Sequence, residues 1–194
     1  MLFGSRTGFG LEFHVEQDPG LLCVDVFVGR LHVNARDNAF YPPLLVKKLK
    51  DELGRFRAPT APPAGYTSPS ESFRVAESWM HDDAGSEPES GAGEVLARCV
   101  FLDWGECTDD VMAFAFPEGD RVHLACRVRE GGGAAPGTEA RDEPAVASLG
   151  RTVLVETLER ALVVAEREWS VRLAALTGRS GMHDGGDVSG VHTP

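Results

Sequence analysis

Alternating apolar and polar residues in the N-terminal part of the chain predict three short β-strands, and a change of period then predicts an amphipathic helix. Apolar residues alternate with polar ones in 11–15, 21–28 and 31–33, which is the strand period. In 44–56 the apolar residues recur at helical spacing instead. The connections between the strands are too short for parallel crossovers, so we expect an antiparallel sheet covered by this helix.

The same order of elements is predicted a second time in the C-terminal half of the chain. Residues 95–104, 111–116 and 121–128 have strand patterns, and 144–176 has the pattern of a long helix. The first of these segments is apolar on both faces, which is typical of a central strand. Two βββα halves therefore predict an α+β fold, with one sheet of about six antiparallel strands and both helices packed on one face.

A long connection separates the two halves. Residues 58–93 are rich in Pro, Ala, Ser, Gly and Glu, which predicts a partly disordered segment, although 70–80 has the apolar spacing of a short helix. Residues 178–194 have the composition of a disordered tail. The rest of the chain is long enough to bury one sizeable core, so we expect a single α+β domain over 1–177.

The chain is strongly acidic, with a formal net charge of -11 from 30 acids and 19 bases. A negative field repels nucleic-acid phosphates and attracts cations, so we expect a basic protein partner and no nucleic-acid binding. The acids are concentrated in 82–120, where Arg98 is the only lysine or arginine. The same acids are equally expected on a solvated surface that only keeps the protein soluble.

The cysteines and the N-terminal residues indicate the compartment. The four cysteines form no C-x-x-C pair, and the start MLFGSRTGFGLEF lacks the uninterrupted apolar stretch of a signal peptide or membrane span. We therefore expect a reduced, cytoplasmic protein that does not bind membranes. Cys23, Cys99 and Cys126 lie at strand positions, where free cysteine behaves as a small hydrophobe, so no catalytic thiol is predicted.

One segment of the acidic region combines a large aromatic side chain with carboxylates. Its residues are Asp103, Trp104, Glu106, Asp109 and Asp110, in the connection between two predicted strands. A tryptophan provides contact area and flanking acids pair with Lys or Arg, which is typical of an interface hot spot. We therefore predict that these residues bind a protein partner. The alternative that the sequence leaves open is that Trp104 packs under the edge of the sheet.

Three histidines raise the question of a metal site. His14, His32 and His123 fall on polar faces of predicted strands, and imidazole is a common zinc ligand. No two of them have the spacing of a local ligand pair, and the chain has no H-E-x-x-H motif. The sequence therefore favours surface histidines, and we predict no metal, no cofactor and no catalytic constellation.

The N-terminal residues carry a family resemblance. The chain begins Met1-Leu2-Phe3-Gly4, followed by Phe9 and then by Leu11-Glu12-Phe13. These residues resemble the M-[IL]-[FI]-G start and the F-x-[IL]-E-F strand of certain immunity proteins from bacterial polymorphic-toxin systems, and the likeness continues loosely through the Gly29 turn. The resemblance implies a small cytoplasmic α+β protein that binds and neutralises a cognate toxin and has no chemistry of its own.

Two other classes of function remain open from the residues. One is a small-molecule-binding or hydrolytic domain with a pocket between the sheet and 70–80. Its candidate polar residues are His14, His32 or His123, combined with Glu12 or Asp25. The other is a structural subunit that dimerises through an uncovered sheet face carrying Phe27 and Phe101.

Overall fold

The computed structural model describes residues 1–58, 61–62, 66–81, 98–129 and 143–180, and its strands form two antiparallel sheets. The strands of the first sheet are β1 (Leu2–Gly4), β2 (Phe9–His14), β3 (Leu22–Val28), β4 (Leu31–His32) and β5 (Ala39–Phe40). Those of the second are β6 (Val111–Glu118), β7 (Arg121–Val128) and β8 (Ala145–Gly150). The α-helices of the described residues are α1 (Pro42–Arg57), α2 (Pro69–His81) and α3 (Arg151–Ser180).

The first sheet has a buried face and an outer face. Its central pair is β2 and β3, in which Leu11 lies opposite Val26 and Glu12 lies opposite Asp25. β1 pairs with the free side of β2, whereas β4 and β5 both pair with β3. Because side chains alternate between the two faces of a strand, this register buries the Leu11 row and places the Glu12 row on the outer face.

The main hydrophobic core lies between the two sheets and two of the helices. It contains Phe9, Leu11 and Phe13 of β2, Val24, Val26 and Val28 of β3, Leu45, Leu49, Leu53 and Phe56 of α1, Ala113 and Ala115 of β6, Val122, Leu124 and Cys126 of β7, and Leu154, Leu158, Ala161 and Ala165 of α3. The two helices pack against each other, and ion pairs from Lys50 to Glu166 and from Arg57 to Glu159, both 2.7 Å, link them at the surface. The core therefore draws on both halves of the chain.

A second, smaller hydrophobic cluster lies on the opposite face of the second sheet. There α2 buries Phe73 and Ala76 against Met112, Phe114 and Phe116 of β6. The second sheet is consequently buried on both faces, by the main core on one side and by α2 on the other.

The prediction of one six-stranded sheet is wrong: the strands form two sheets, and the described part of 95–104, residues 98–104, does not supply a strand that joins the halves. In its described part, 98–104, only Val100 forms a bridge, to Phe114 of β6. The carbonyl oxygens of Arg98 and Val100 accept hydrogen bonds from the Arg55 guanidinium, and Leu102 leaves the extended region with φ of 59°. Two backbone hydrogen bonds flank the bridge, from Phe101 N–H to the Ala113 carbonyl at 2.8 Å and from Ala115 N–H to the Cys99 carbonyl at 2.7 Å. The pairing stays limited to this one point on β6 and does not connect the two sheets.

The C-terminal helix begins later than predicted. The structure replaces the first residues of 144–176 with β8, which pairs with β7 from Cys126 opposite Ala145 to Arg121 opposite Gly150. The buried stripe of α3 then runs from Leu154 to Ala165. Farther along, Trp169 is half-buried, and other members of the predicted stripe, Leu173 and Leu176, are 51% and 63% exposed.

The other predicted elements agree with the structure to within a few residues. α1 and α2 cover the predicted helices 44–56 and 70–80, and the predicted hairpin of 111–128 is present as β6 and β7. The pairing of β1 and the short strand β5 were not predicted. Residues 59–60, 63–65 and 82–93 of the connection and most of the predicted tail 178–194 lie outside the described residues, so the single domain over 1–177 stays a prediction.

Candidate partner-binding surface

The predicted recognition segment forms a tight, internally bonded turn before β6. The backbone N–H of Trp104 donates to Thr108 Oγ1 at 3.0 Å, and that hydroxyl donates to the Gly105 carbonyl at 3.0 Å. A short 3₁₀ helix, Glu106–Thr108, closes the turn. Gly105 has φ of 99°, and a Cβ there would lie 2.7 Å from Leu44 Cδ2 of α1, so this position requires glycine.

Trp104 points into the core and not toward solvent. Its side chain is 1% exposed, and its ring packs edge-on against Phe40 at 6.4 Å and Phe101 at 6.0 Å. In this arrangement the indole cannot contact a partner. The alternative, that Trp104 packs beneath the sheet edge, describes the observed position, and the tryptophan anchors the turn from below.

The acids of the segment do lie on the surface. We call Asp103, Glu106, Asp109 and Asp110 the acidic turn; all of them are exposed. Asp103 accepts a hydrogen bond from Lys48 Nζ of α1 at 2.8 Å. Within the described residues the other acids of the turn have no ion-pair partner, so the turn presents a net negative surface held on a buried tryptophan.

A buried ion pair lies beneath the acidic turn. Glu52 Oε2 is 2.5 Å from Arg55 Nη2, and both side chains are largely buried between α1 and the core. Burial raises the pKa of Glu52 to about 7, against the opposing effects of the Arg55 charge, the Trp104 indole N–H and the Lys48 charge. The sequence pattern placed Glu52 on the solvent side of α1 and gave no signal for this burial.

The outer face of the first sheet carries a second polar group, which we call the outer-face cluster: Glu12, His14, Asp25 and His32. His14 Nε2 lies 3.0 Å from Asp25 Oδ2, and His32 Nε2 lies 3.3 Å from Asp25 Oδ1. Asn38 Nδ2 also donates to Asp25 Oδ1, at 2.7 Å. The structure thus brings together the histidines of β2 and β4 with both acids that the sequence offered as their companions.

The central carboxylate of this cluster is stabilised in its charged form. Partial burial opposes ionisation of Asp25, but hydrogen bonds from Asn38 and His14 and the nearby His32 together lower its pKa below the ordinary value. The contribution of Asn38 was missed by sequence reasoning, because it lies in the connection before β5 and no local pattern indicates its direction.

The remaining residues named from the sequence lie elsewhere. His123 is on the second sheet, where its Nε2 is 2.8 Å from Glu118 Oε2 and its Nδ1 is 2.7 Å from Ser148 Oγ. Phe27 lies on the outer face, with the Arg6 guanidinium 5.4 Å above its ring. Phe101 is 1% exposed in the main core, so it cannot share a dimer surface with Phe27.

A cavity of about 590 Å³ lies beside the C-terminal end of α1 and not beneath 70–80. Its polar lining within the described residues comes from Arg55, Arg98 and Arg151. The space predicted between the sheet and 70–80 is filled instead, because Phe73 of α2 packs edge-on against Phe114 with ring centroids 5.7 Å apart.

The cysteines are positioned as core residues. Cys23, Cys99 and Cys126 are buried and Cys107 is half-buried. Burial raises the pKa of Cys126 to about 12, and burial together with Asp37 raises that of Cys107 to about 12. Thiols with such pKa values stay protonated at neutral pH and are poor nucleophiles.

Comparisons with known proteins relate the chain through its fold. In the described part of the chain, none of the helices combines the length and apolar content that a membrane span requires. No protein-family model and no curated protein sequence matches the chain. Its fold is similar to the crystal structure of CdiI from Burkholderia dolosa AUO158, with a TM-score of 0.51, 15% sequence identity, and coverage of 84% of this chain and 99% of that chain.

Proposed function

We propose that this chain is an immunity protein, which binds a cognate bacterial toxin and blocks it without catalysing a reaction. The observation that carries the proposal is the fold similarity to CdiI, an immunity protein of contact-dependent inhibition, over 99% of the CdiI chain. The N-terminal resemblance to immunity proteins of polymorphic-toxin systems supports the same class from the sequence.

The aromatic residues of the N-terminal motif lie in the core and stabilise the fold, so other residues form the binding surface. The rings of Phe3 and Phe13 meet edge-on at 5.9 Å, and Phe9 contacts Phe101 at 5.6 Å. These aromatic residues pack β1 and β2 into the main core. A motif of this kind is expected to recur in proteins that share a scaffold and differ in the toxins they bind.

The acidic turn is the proposed contact for a basic surface of the toxin. The turn is pre-organised, because buried Trp104 anchors it and Thr108 closes it by hydrogen bonds. A rigid turn loses little conformational entropy on binding, and its carboxylates accelerate association with a cationic partner. The same acids would bring the toxin to the surface while neighbouring residues contribute the buried contact area.

The experiment is binding to the toxic domain encoded beside this chain, measured by stopped flow at several salt concentrations and by growth of cells that co-express both proteins. We expect the wild-type chain to bind and protect. Replacing Asp103, Glu106, Asp109 and Asp110 together by lysine should slow association at least about tenfold at low salt and flatten its salt dependence.

The matched control reverses the same number of exposed acids elsewhere: Glu16, Glu71, Asp120 and Glu156. This variant carries the same net charge, so it should keep most of the wild-type association rate and should still protect cells. An equal loss in both variants would show that net charge acts and the acidic turn does not. A wild-type chain that neither binds nor protects against the neighbouring toxin would refute the immunity function itself.

A second candidate is binding of a small anion in the cavity beside α1. Its volume of about 590 Å³ is in the usual range for ligand pockets, and its lining includes Arg55, Arg98 and Arg151. Arg55 is paired with Glu52 and Arg151 with Asp120, so an anion would have to compete with these carboxylates. Thermal-shift measurements with phosphate and carboxylate compounds test this candidate. A ligand should raise the melting temperature of the wild-type chain, and the increase should be smaller for Arg151→Gln. If no compound raises the melting temperature, the anion-binding candidate is refuted and the immunity function remains.

A further inference from the structure

We propose that the outer-face cluster is a binding site for a divalent transition-metal ion, with Glu12, His14 and Asp25 as ligands and Zn²⁺ as the preferred ion. One ligand atom from each of these residues lies within 4.8 Å of the other two. The proposal does not depend on the immunity function, because it rests on residues that the acidic turn does not include.

The strand register holds the three ligands together. Glu12 and Asp25 are direct cross-strand partners on β2 and β3, and His14 follows Glu12 by two residues on the same face of β2. Side chains at such positions have Cβ atoms about 5 Å apart when directly opposite. The site therefore lies on the central strands of the sheet, where the backbone positions are fixed by hydrogen bonding before any ion arrives.

The distances suit a metal ion. Zinc binds imidazole nitrogen and carboxylate oxygen at about 2.0–2.2 Å, so two neighbouring ligand atoms of a tetrahedral site lie about 3.2–3.6 Å apart. His14 Nε2 and Asp25 Oδ2 are already 3.0 Å apart. An ion can replace the proton between them with small side-chain shifts, provided that the imidazole carries its remaining proton on Nδ1.

Hydrogen bonds from neighbouring side chains orient the two carboxylates, as residues that bond to the ligands do in known metal sites. Asn38 donates to Asp25 Oδ1 at 2.7 Å, which leaves Oδ2 directed to His14. Arg6 donates to Glu12 Oε2 through Nε at 2.9 Å. Partners of this kind fix the direction of a ligand and influence its affinity for the ion.

His32 of β4 lies at the other oxygen of Asp25 and is not one of the three ligands. Its Nε2 is buried, and within the described residues it has no hydrogen-bond partner although it lies 3.3 Å from Asp25 Oδ1. The three ligands provide one imidazole nitrogen and carboxylate oxygens, and the imidazole favours zinc and similar ions over the oxygen-seeking Ca²⁺ and Mg²⁺. The acids and Arg6 together carry one net negative charge, so a dication is electrostatically favoured.

The test uses the full chain with reduced thiols, freed of metal, and ZnCl₂ as the probe. Isothermal titration calorimetry should show one zinc bound per chain, and zinc should raise the melting temperature. We expect His14→Gln and Asp25→Asn each to weaken zinc binding at least about tenfold. His123→Gln is the control, because His123 also faces a carboxylate, Glu118, but lies on the other sheet; this variant should bind zinc as the wild-type chain does.

Two measurements keep the test decisive if a variant does not fold. Glu12→Gln changes a carboxylate whose partner, Arg6, is at the surface, and circular dichroism verifies its fold. In the unmodified chain, nitrogen-15 NMR should show the His14 Nε2 resonance shift when zinc is added. The proposal fails if the wild-type chain binds no zinc, if His14→Gln and Asp25→Asn bind it unchanged, or if the His14 resonance does not move.

Discussion

At the residue scale, Trp104 is the bulkiest of the fully buried side chains in the described residues. Truncation to alanine removes its contacts with Phe40 and Phe101 and leaves a cavity, so we expect Trp104→Ala to lower the free energy of unfolding by about 3–5 kcal/mol. Trp169→Ala is the control: this side chain is half-buried on α3, and its loss should cost about 1–2 kcal/mol. Urea unfolding measures both, and equal losses would contradict the burial of Trp104.

Glu52 makes the stability of the protein depend on pH. Burial raises its pKa from the ordinary 4.5 to about 7 in the folded chain. The folded protein therefore holds this proton in a range where the unfolded chain has released it, and the free energy of unfolding should fall as pH rises from about 4.5 to 7, by up to about 3 kcal/mol. The pKa of Asp25 is lowered, so this carboxylate affects stability only at more acidic pH, where its protonation lowers the free energy of unfolding.

Urea unfolding at pH 5 and pH 8 measures this dependence. Glu52→Gln keeps the shape of the side chain and removes the titration, so the difference in stability between the two pH values should shrink. Glu156→Gln, at an exposed position of α3, should leave the difference as in the wild-type chain. A full wild-type pH dependence in Glu52→Gln would show that another group is responsible.

The sequence could predict part of the polar surface at this scale. Alternation along β2 places Glu12 and His14 on one face, and the same rule places Asp25 on the outer face of β3. The pattern could not predict the register that sets Glu12 opposite Asp25, because register depends on the pairing partner and the turn. Nor could it decide between the partner-binding and the buried position of Trp104, since its contact Phe40 is distant in sequence.

At the element scale, the turn between β3 and β4 joins the two sheets. Gly29 has φ of 54°, and a Cβ there would lie 2.5 Å from the Val146 carbonyl oxygen of β8. Gly119, in the turn between β6 and β7, has φ of 59° but no atom within 4 Å of such a Cβ. These glycines share one backbone conformation and differ in their surroundings.

This pair separates backbone strain from close packing. Gly119→Ala introduces only strain and should cost about 1–2 kcal/mol of unfolding free energy. Gly29→Ala adds the collision with β8 and should cost at least about 1–3 kcal/mol more. Thermal unfolding of both variants is the measurement. Equal costs would mean that the contact between the turn and β8 is absent in solution.

The hydrophobic pattern predicted correctly those elements that are defined by residues near in sequence. The hairpin of β6 and β7 follows from alternation on both sides of the 117–120 turn, and α1 from its apolar spacing. Over its described part, 98–104, the predicted strand 95–104 is reduced to one bridge, because an apolar stretch is equally suited to a core segment whose carbonyls bond to a distant arginine, Arg55. β8 was not predicted, because 129–144 separate it from its partner β7 and no short turn signals the pairing.

At the scale of the whole molecule, we propose that the two sheets unfold as one cooperative unit. The main core combines β2 and β3 with β7 and α3, so residues 1–58 alone would expose the face that carries Val24 and Val26. We expect the fragment 1–58 to show no cooperative thermal transition by circular dichroism, whereas the full chain should show one. A cooperative transition in the fragment would refute the proposal of a single unit.

The class of the fold could be predicted from the sequence, and its division into sheets could not. Short turns and strand periods indicate antiparallel pairing within each half. Whether two such halves form one sheet or two depends on a single joining strand, and residues 98–104 do not form it. Hydrophobic pattern alone does not separate a central strand from a buried irregular segment.

The position of α3 in the main core also determines when the chain can fold during synthesis. Strands β1 to β3 are complete at Val28, but part of their buried face packs against α3, which begins only at Arg151. At about 5–20 residues per second, a ribosome needs about 6–25 s to translate the intervening stretch. A nascent chain therefore cannot complete this part of its core for at least that time, and the uncovered apolar surface is open to chaperones until α3 leaves the exit tunnel.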